Sequence, residues 1–312
     1  MSPKSPHLLS IEDLSDAALD RLFGRAAFFL QHFRRADKRV PILSGRTIVN
    51  LFFEPSTRTH VSFEIAARRL GADVINVAIA NSSAAKGETL GDTAVALNAM
   101  NADAFIIRHP QTEALHTFAG HVTCPVINAG NGMGEHPSQA LLDAMTIKQA
   151  KGRIEGLTIA ICGDIMHSRV AHSNIKLLTR LGAHVNVIAP KMLLPDNLDS
   201  NHVTKFEDMK RGLENADIVM TLRIQRERMV EPLPLSVEEY FRDYGLDNEK
   251  LSYAKPDALV LDPGPVIRGV HIADEVVDGQ RCLLAQQVEN GVAMRAAILE
   301  MFILNQAAAH VI

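Results

Sequence analysis

The stretch Phe53-Glu54-Pro55-Ser56-Thr57-Arg58-Thr59 gathers three hydroxyls and a guanidinium within four residues. An anion with several acceptor oxygens suits such a set. If a helix begins here, its unpaired N–H groups and the positive end of its dipole reinforce the attraction. A single hydroxyl would serve as an N-cap, so this cluster exceeds what capping requires. Arg108, in Arg108-His109-Pro110, offers a second guanidinium able to hold two oxygens in one plane, or to form an ordinary surface ion pair. His136-Pro137-Ser138-Gln139 adds an imidazole that can donate one N–H to a carbonyl, with Gln139 on the same face of a helix. Arg169 stands near a helix start, against the preference for acidic residues there, which points to a partner carboxylate from the protein or a ligand. Arg223 and Gln225 face one side if the chain there is extended. Lys86 and the run Arg226-Glu227-Arg228 fit a solvated loop equally well, and Pro263-Gly264-Pro265 reads as a rigid turn. Taken together, these residues could bind two anions and polarise a carbonyl.

Elements to position them follow from the apolar pattern. Residues 47–51 read as a buried strand entering the Ser56 cluster, and Phe63, Ala66, Ala67 and Leu70 recur at helical spacing until Gly71. Further strands are expected at 74–79, 104–107 and 125–128, with helices opening near Ser15, Thr89, Glu113 and His136. Strands alternating with helices predict a mostly parallel sheet covered on both faces, with ligands beyond the carboxyl ends of its strands. The Ser56 cluster, Arg108 and the glycine-rich loop 129–135 before His136 all fall at such ends. Lys151 to Gly156 reads as a hinge, after which strands at 157–162, 185–189, 216–222 and 258–261 and a helix at 167–181 begin a second alternation. The expectation is therefore an α/β protein of two domains, each a mostly parallel sheet flanked by helices. These are residues 1–150 and 151–290, with a C-terminal helix in 291–312 packing back on the first domain.

A net charge of -4 over 312 residues leaves no basic footprint for nucleic acid, so any anion site must concentrate its cations locally. Cys124, Cys162 and Cys282 are widely separated, which argues against a disulfide framework or a zinc site and fits a reducing cytoplasm. No apolar run is long enough to span a bilayer and no signal-peptide core opens the chain, so a cytoplasmic location without membrane attachment is expected. Neither G-x-G-x-x-G nor a P-loop is present, so no nucleotide cofactor is expected.

The assembled motifs resemble the carbamoyltransferase family over nearly the whole chain. Phe53 to Thr59, Lys86-Gly87-Glu88-Thr89, Arg108-His109-Pro110, His136-Pro137-Ser138-Gln139, His167 to Ser173, Arg223-Ile224-Gln225 and Pro263-Gly264-Pro265 carry the likeness. Ser-Thr-Arg-Thr and His-Pro-x-Gln mark the family. Arg223-x-Gln225 favours its aspartate branch, and the Ser-Met-Gly and His-Cys-Leu-Pro sequences of the ornithine branch are absent. The resemblance implies transfer of a carbamoyl group from carbamoyl phosphate to the amino group of L-aspartate, toward pyrimidines. It implies that Ser56, Thr57, Arg58 and Thr59 hold the phosphate, and that Arg108, Thr59 and His136 bind the carbonyl oxygen. Gln139 and the backbone of Gly264 and Pro265 would take the carbamoyl NH2. Arg169 would bind the α-carboxylate of aspartate, and Arg223 and Gln225 its side-chain carboxylate.

Family members are homotrimers in which Ser82 and Lys86 reach a neighbouring subunit's site, with no metal in the catalytic chain. One departure is Asp262 before the Pro-Gly-Pro turn, where the family often has His, and Val266-Ile267 after it in place of Met-Asn. The turn with Arg268-Gly269-Val270 also resembles members that assemble with a dihydroorotase or a dihydroorotase-like chain. Glu54 is expected to pair with Arg169 or Arg228 across the hinge. The competing readings are an ornithine or related amine acceptor and a non-catalytic scaffold subunit.

Overall fold

The computed structural model describes residues 5–77, 87–198 and 201–309. Its contacts cluster into two compact units, Met1–Leu141 with Val288–Ile312, and Leu142–Gln287. In chain order the first unit contains α1 (Asp16–Phe33), β1 (Thr47–Phe52), α2 (Thr57–Arg69), β2 (Asp73–Val77), α3 (Leu90–Asn98), β3 (Ala104–His109), α4 (Ala114–Ala119) and β4 (Val126–Asn131), and α5 (Pro137–Lys151) begins there. The second unit holds β5 (Thr158–Cys162), α6 (Arg169–Arg180), β6 (His184–Ile188), β7 (Val203–Phe206), α7 (Met209–Leu213), β8 (Ile218–Thr221), α8 (Val237–Tyr244), α9 (Asn248–Leu251), β9 (Leu259–Leu261), α10 (Asp274–Val277) and the start of α11 (Leu284–Ala309).

The first sheet has the order β2-β1-β3-β4, and every pairing in it is parallel. Strand order reverses between β1 and β3, whose ends pair Phe52 with Arg108. That reversal opens a crevice beyond two carboxyl ends, the usual place for a ligand in such sheets. Val49, Leu51, Phe105, Ile107 and Val126 pack on one face with Leu115 and Phe118 of α4 and Ala94 of α3. Ile48, Ile106 and Ile127, offset by one residue, are fully buried too, so the central strands are covered on both faces as parallel strands require. Leu8 forms a bridge to β4 through bonds with Val126 and Asn128, each 2.9 Å, so the segment before α1 covers a sheet edge.

β4 runs to Asn131, past its expected end at Asn128. The Asn128 side chain explains this: its oxygen accepts the N–H of Gly130 and its nitrogen donates to Leu9, both at 2.7 Å. With Gly130 at φ 117 the chain bulges and rejoins β3, where the register shifts between Ile107 and His109. β2 is described only as far as Val77, so the expected end of that strand at Ile79 lies outside the described residues.

The second sheet, β7-β6-β5-β8-β9, is likewise parallel and reverses between β5 and β8. Gly163, at φ 127, follows β5 and lies so close to the end of β8 that a Cβ there would be 2.1 Å from the carbonyl oxygen of Leu222. Edge strand β7 escapes the sequence pattern because only Val203 of its four residues is buried.

α11 starts at Leu284, whereas the sequence placed a helix start at Gly291. A glycine inside a helix costs only about 1 kcal/mol, and the buried Met294, Ala297, Ile298 and Phe302 outweigh it. Beyond residue 287 the helix returns to the first unit, as expected. Arg34, just after α1, grips Glu289 with two bonds of 2.7 Å, and Arg25 of α1 grips Glu300 at 2.6 and 2.8 Å. Among the described residues no helix is long and apolar enough to cross a membrane.

Candidate active site

In the first unit, β1 delivers the chain to Ser56, the N-cap residue of α2. Ser15, Thr89, Ser168 and Ser236 each accept a backbone N–H and so cap their helices. Ser56 makes no such side-chain bond, and α2 has no acidic residue in its first turn. Its N-terminal dipole and the Ser56 hydroxyl are therefore not consumed by capping. Thr57 and Arg58 are exposed, whereas Thr59 turns inward and is buried. The Thr59 hydroxyl oxygen lies 3.4 Å from Nε2 of His136. Residues 77 positions apart in sequence are thus neighbours at the β1/β3 reversal.

Arg108, the penultimate residue of β3, lies beside Phe52. One of its terminal nitrogens donates to the carbonyl of Ala129 at 3.3 Å, and its Nε lies 3.3 Å from a Glu54 carboxylate oxygen. The structure thus places Glu54 beside Arg108, a partner that sequence reasoning did not propose. His136 stands directly before α5 and is 4% exposed, so any donor it offers acts in a largely water-free setting. Gln139 of the first turn of α5 is buried as well. Residues near the N-terminus pin the loop carrying His136, because Glu135 accepts the Ser10 hydroxyl at 2.6 Å and the Ile11 N–H at 3.0 Å. Glu135 and Ser10 escaped the sequence reading, since nothing in their spacing links them.

In the second unit the same kind of reversal is organised by a buried carboxylate. One oxygen of Asp164 accepts the backbone N–H of His167 at 3.1 Å and sits 2.9 Å from its Nδ1. The other oxygen accepts the N–H of Gln225 at 2.9 Å. Asp164 therefore ties the loop after β5, leading to Arg169, to the loop after β8, carrying Arg223 and Gln225. Gly163-Asp164 directly follows a strand, but nothing local in the sequence links Asp164 to Gln225, 61 residues on.

Arg169 is the first residue of α6 and is buried. Arg223 donates two bonds from its guanidinium fork to the two oxygens of Glu227, one of them at 3.0 Å. Hydrogen bonding from Arg223, ahead of all other causes, holds the Glu227 carboxyl down at about 2. Glu227, which sequence reasoning left among solvated charges, shows that this guanidinium fits a carboxylate. Gln225 has φ -92 and ψ 59, which is not extended, so strand alternation does not pair it with Arg223. Its side chain instead donates to the carbonyl of Arg223 at 3.1 Å. Pro263-Gly264-Pro265 follows β9, with Gly264 at φ 67. Ser82 and Lys86 lie outside the described residues.

The first unit thus offers amides, hydroxyls and a guanidinium suited to a tetrahedral oxyanion, with Thr59 and His136 adjacent as donors for a carbonyl oxygen. The second offers guanidiniums suited to planar carboxylates. Among the described residues no group of three or more His, Cys, Asp or Glu is placed to hold a metal ion.

Comparison with known proteins returns the same division of labour. Residues 6–149 match the carbamoyl-P binding domain of the aspartate/ornithine carbamoyltransferases, and residues 155–302 match their Asp/Orn binding domain. The chain is 56% identical over 294 residues to the aspartate carbamoyltransferase catalytic subunit of Methylorubrum populi, covering 94% of this chain and 93% of that one. The crystal structure of Trypanosoma cruzi aspartate transcarbamoylase in complex with carbamoyl phosphate and aspartate is similar with a TM-score of 0.83, at 32% identity over 94% of each chain. Ornithine carbamoyltransferase from Pyrococcus furiosus gives a TM-score of 0.85 at 28% identity, covering 96% of this chain and 98% of that one.

Proposed function

The chain belongs to the aspartate/ornithine carbamoyltransferase family, and from that premise we propose that it is an enzyme transferring the carbamoyl group of carbamoyl phosphate to the amino group of L-aspartate. The products are N-carbamoyl-L-aspartate and phosphate, a step of pyrimidine biosynthesis in the cytoplasm. The observation that carries this reading is the N-terminus of α2. Ser56 leaves that end uncapped, and Thr59 there meets His136. An uncapped N-terminus with three hydroxyls and a guanidinium favours a phosphoryl group, and two buried donors beside it favour the adjoining carbonyl.

In this reading Ser56, Thr57, Arg58 and Thr59 hold the phosphate, and Arg108, Thr59 and His136 donate to the carbamoyl oxygen. Gln139 and the backbone of Gly264 and Pro265 accept from the carbamoyl NH2. Arg169 holds the α-carboxylate of aspartate, and Arg223 with Gln225 holds its side-chain carboxylate. The amino nitrogen attacks the carbamoyl carbon, negative charge gathers on the carbonyl oxygen, and the bond to the phosphate oxygen breaks. The departing phosphate takes the amine proton, so no side-chain base or nucleophile is required.

Fixing both substrates can lower the barrier by up to roughly 7–11 kcal/mol, and each donor at the developing oxyanion contributes about 2.7–4 kcal/mol. Arg223 favours aspartate over ornithine as acceptor, because a guanidinium that fits Glu227 fits a second carboxylate and repels an ammonium. Supplying carbamoyl phosphate with each amino acid and identifying the carbamoylated product tests the assignment. N-carbamoylaspartate is expected, carbamoylornithine would reassign the acceptor, and no product from a folded chain would revive a scaffold role.

The active assembly is a homotrimer in which Ser82 and Lys86 serve a neighbouring subunit, and a dihydroorotase or dihydroorotase-like chain is a candidate further partner. Mixing inactive Arg58→Ala and Lys86→Ala chains should restore part of the activity. No recovery after confirmed subunit exchange would confine Lys86 to its own chain.

A further inference from the structure

The loop after β9 contains a fully occupied buried carboxylate that the roles above do not use. Asp262 and His271 are each 2% exposed. One oxygen of Asp262 accepts the N–H of Gly264 at 2.6 Å. The other accepts the hydroxyl of Thr221 at 2.7 Å and lies 2.9 Å from Nε2 of His271. The backbone N–H of Asp262 donates to Gln287 at 3.0 Å, Gln287 donates to Asp143 at 2.8 Å, and Asn174 of α6 donates to the other oxygen of Asp143 at 2.9 Å. A carboxylate with no solvent needs such donors, since burying it without them is costly.

Prolines flank Gly264, so its N–H is the only backbone donor in Pro263-Gly264-Pro265. Asp262 takes that donor, and the turn then has only carbonyl oxygens to offer a ligand. Acceptors alone select a donor group such as an NH2 and give no hydrogen bond to a methyl in its place. The same carboxylate fixes Thr221, the last residue of β8, two positions before Arg223. It therefore joins the Pro-Gly-Pro turn to the strand end that carries a proposed aspartate ligand.

We propose that Asp262, oriented by His271, is a positioning residue that sets the Pro263-Gly264-Pro265 carbonyls to recognise the carbamoyl NH2 and so selects carbamoyl phosphate over other acyl phosphates. This rests on the carbamoyl-transfer reading above. Acetyl phosphate, which carries a methyl where carbamoyl phosphate carries NH2, isolates the effect. The wild-type chain first establishes whether N-carbamoylaspartate forms, which judges that reading by itself. The KM for carbamoyl phosphate and the Ki of acetyl phosphate as a competitor are then compared between variants.

Asp262→Ala should raise the carbamoyl phosphate KM about tenfold while the acetyl phosphate Ki stays within about twofold, the pattern of a lost hydrogen bond to NH2 alone. His271→Leu should do the same, and His271→Gln, which keeps an N–H donor, should recover discrimination to within about threefold of wild type. Should the alanine chain not fold, Asp262→Asn takes its place in the comparison. If both ligands weaken in parallel, or His271→Gln behaves like His271→Leu, Asp262 is a structural support only and the proposal falls. An unchanged ratio in every variant also overturns it.

Discussion

Each sheet reverses its strand order once, and the two reversals collect groups suited to anions by different means. At β1/β3 the groups are those of a helix start whose cap residue makes no capping bond. At β5/β8 the helix start is spent, because Ser168 accepts the N–H of Ala171 at 3.2 Å, and the binding capacity lies in Arg169 and Arg223. Amides and hydroxyls converging on a point tolerate the rotation of a phosphoryl group, whereas a planar fork demands the plane of a carboxylate. The loops differ accordingly. Backbone pairing of Phe53 with Arg108 holds the first, and the Asp164 carboxylate bridging two loops holds the second.

If the first reversal carries the reacting carbonyl, His136→Ala should have the largest effect. It should lower kcat by about 10²–10³ and leave inhibition by inorganic phosphate nearly unchanged, as steady-state kinetics with phosphate as competitor would show. Arg223→Lys keeps the charge but loses the fork. It should raise the aspartate KM about 10- to 100-fold without altering phosphate inhibition; parallel changes in both would erase the distinction between the two regions.

A pair of serine substitutions sharpens it further. Ser56→Ala should weaken phosphate about fivefold and hardly move the melting temperature, because no cap is lost. Ser168→Ala should destabilise the fold by about 1 kcal/mol, seen in chemical denaturation. The smallest effect concerns pH. The Glu227 carboxyl lies below its ordinary value of 4.5, at about 2. Its contribution to stability is therefore complete above about pH 4.5 and fades as pH falls toward 2. Glu227 is half exposed, so screening keeps that contribution small. An acid titration of Glu227→Gln should run slightly flatter over that window than wild type.

Much of the fold is legible because parallel strands buried on both faces write themselves as short apolar runs. Phe105-Ile106-Ile107 and Ile159-Ala160-Ile161 need no partner to be recognised. β7 writes almost nothing, since an edge strand keeps one face in water. α11 misleads at Asn290-Gly291, a pair that reads as a helix boundary until tertiary packing covers it. Among the site residues, those whose chemistry is unusual for their local position were visible, such as three hydroxyls with an Arg at one helix start and an Arg at another. Asp164, Glu135 and Asp262 are ordinary carboxylates locally, and their meaning comes from donors brought from distant segments.

The sequence by itself determined two α/β units and a helix start crowded with hydroxyls and a guanidinium, because apolar periodicity and local clusters of donors are properties of neighbouring residues. Only the tertiary structure decided that Ser56 makes no side-chain capping bond, that Thr59 faces His136, that Glu54 lies beside Arg108 and that Asp262 is enclosed by Thr221, Gly264 and His271. Those facts depend on where parallel strands from separate parts of the chain end. Strand register and order are set by the packing of whole faces and not by any single stretch.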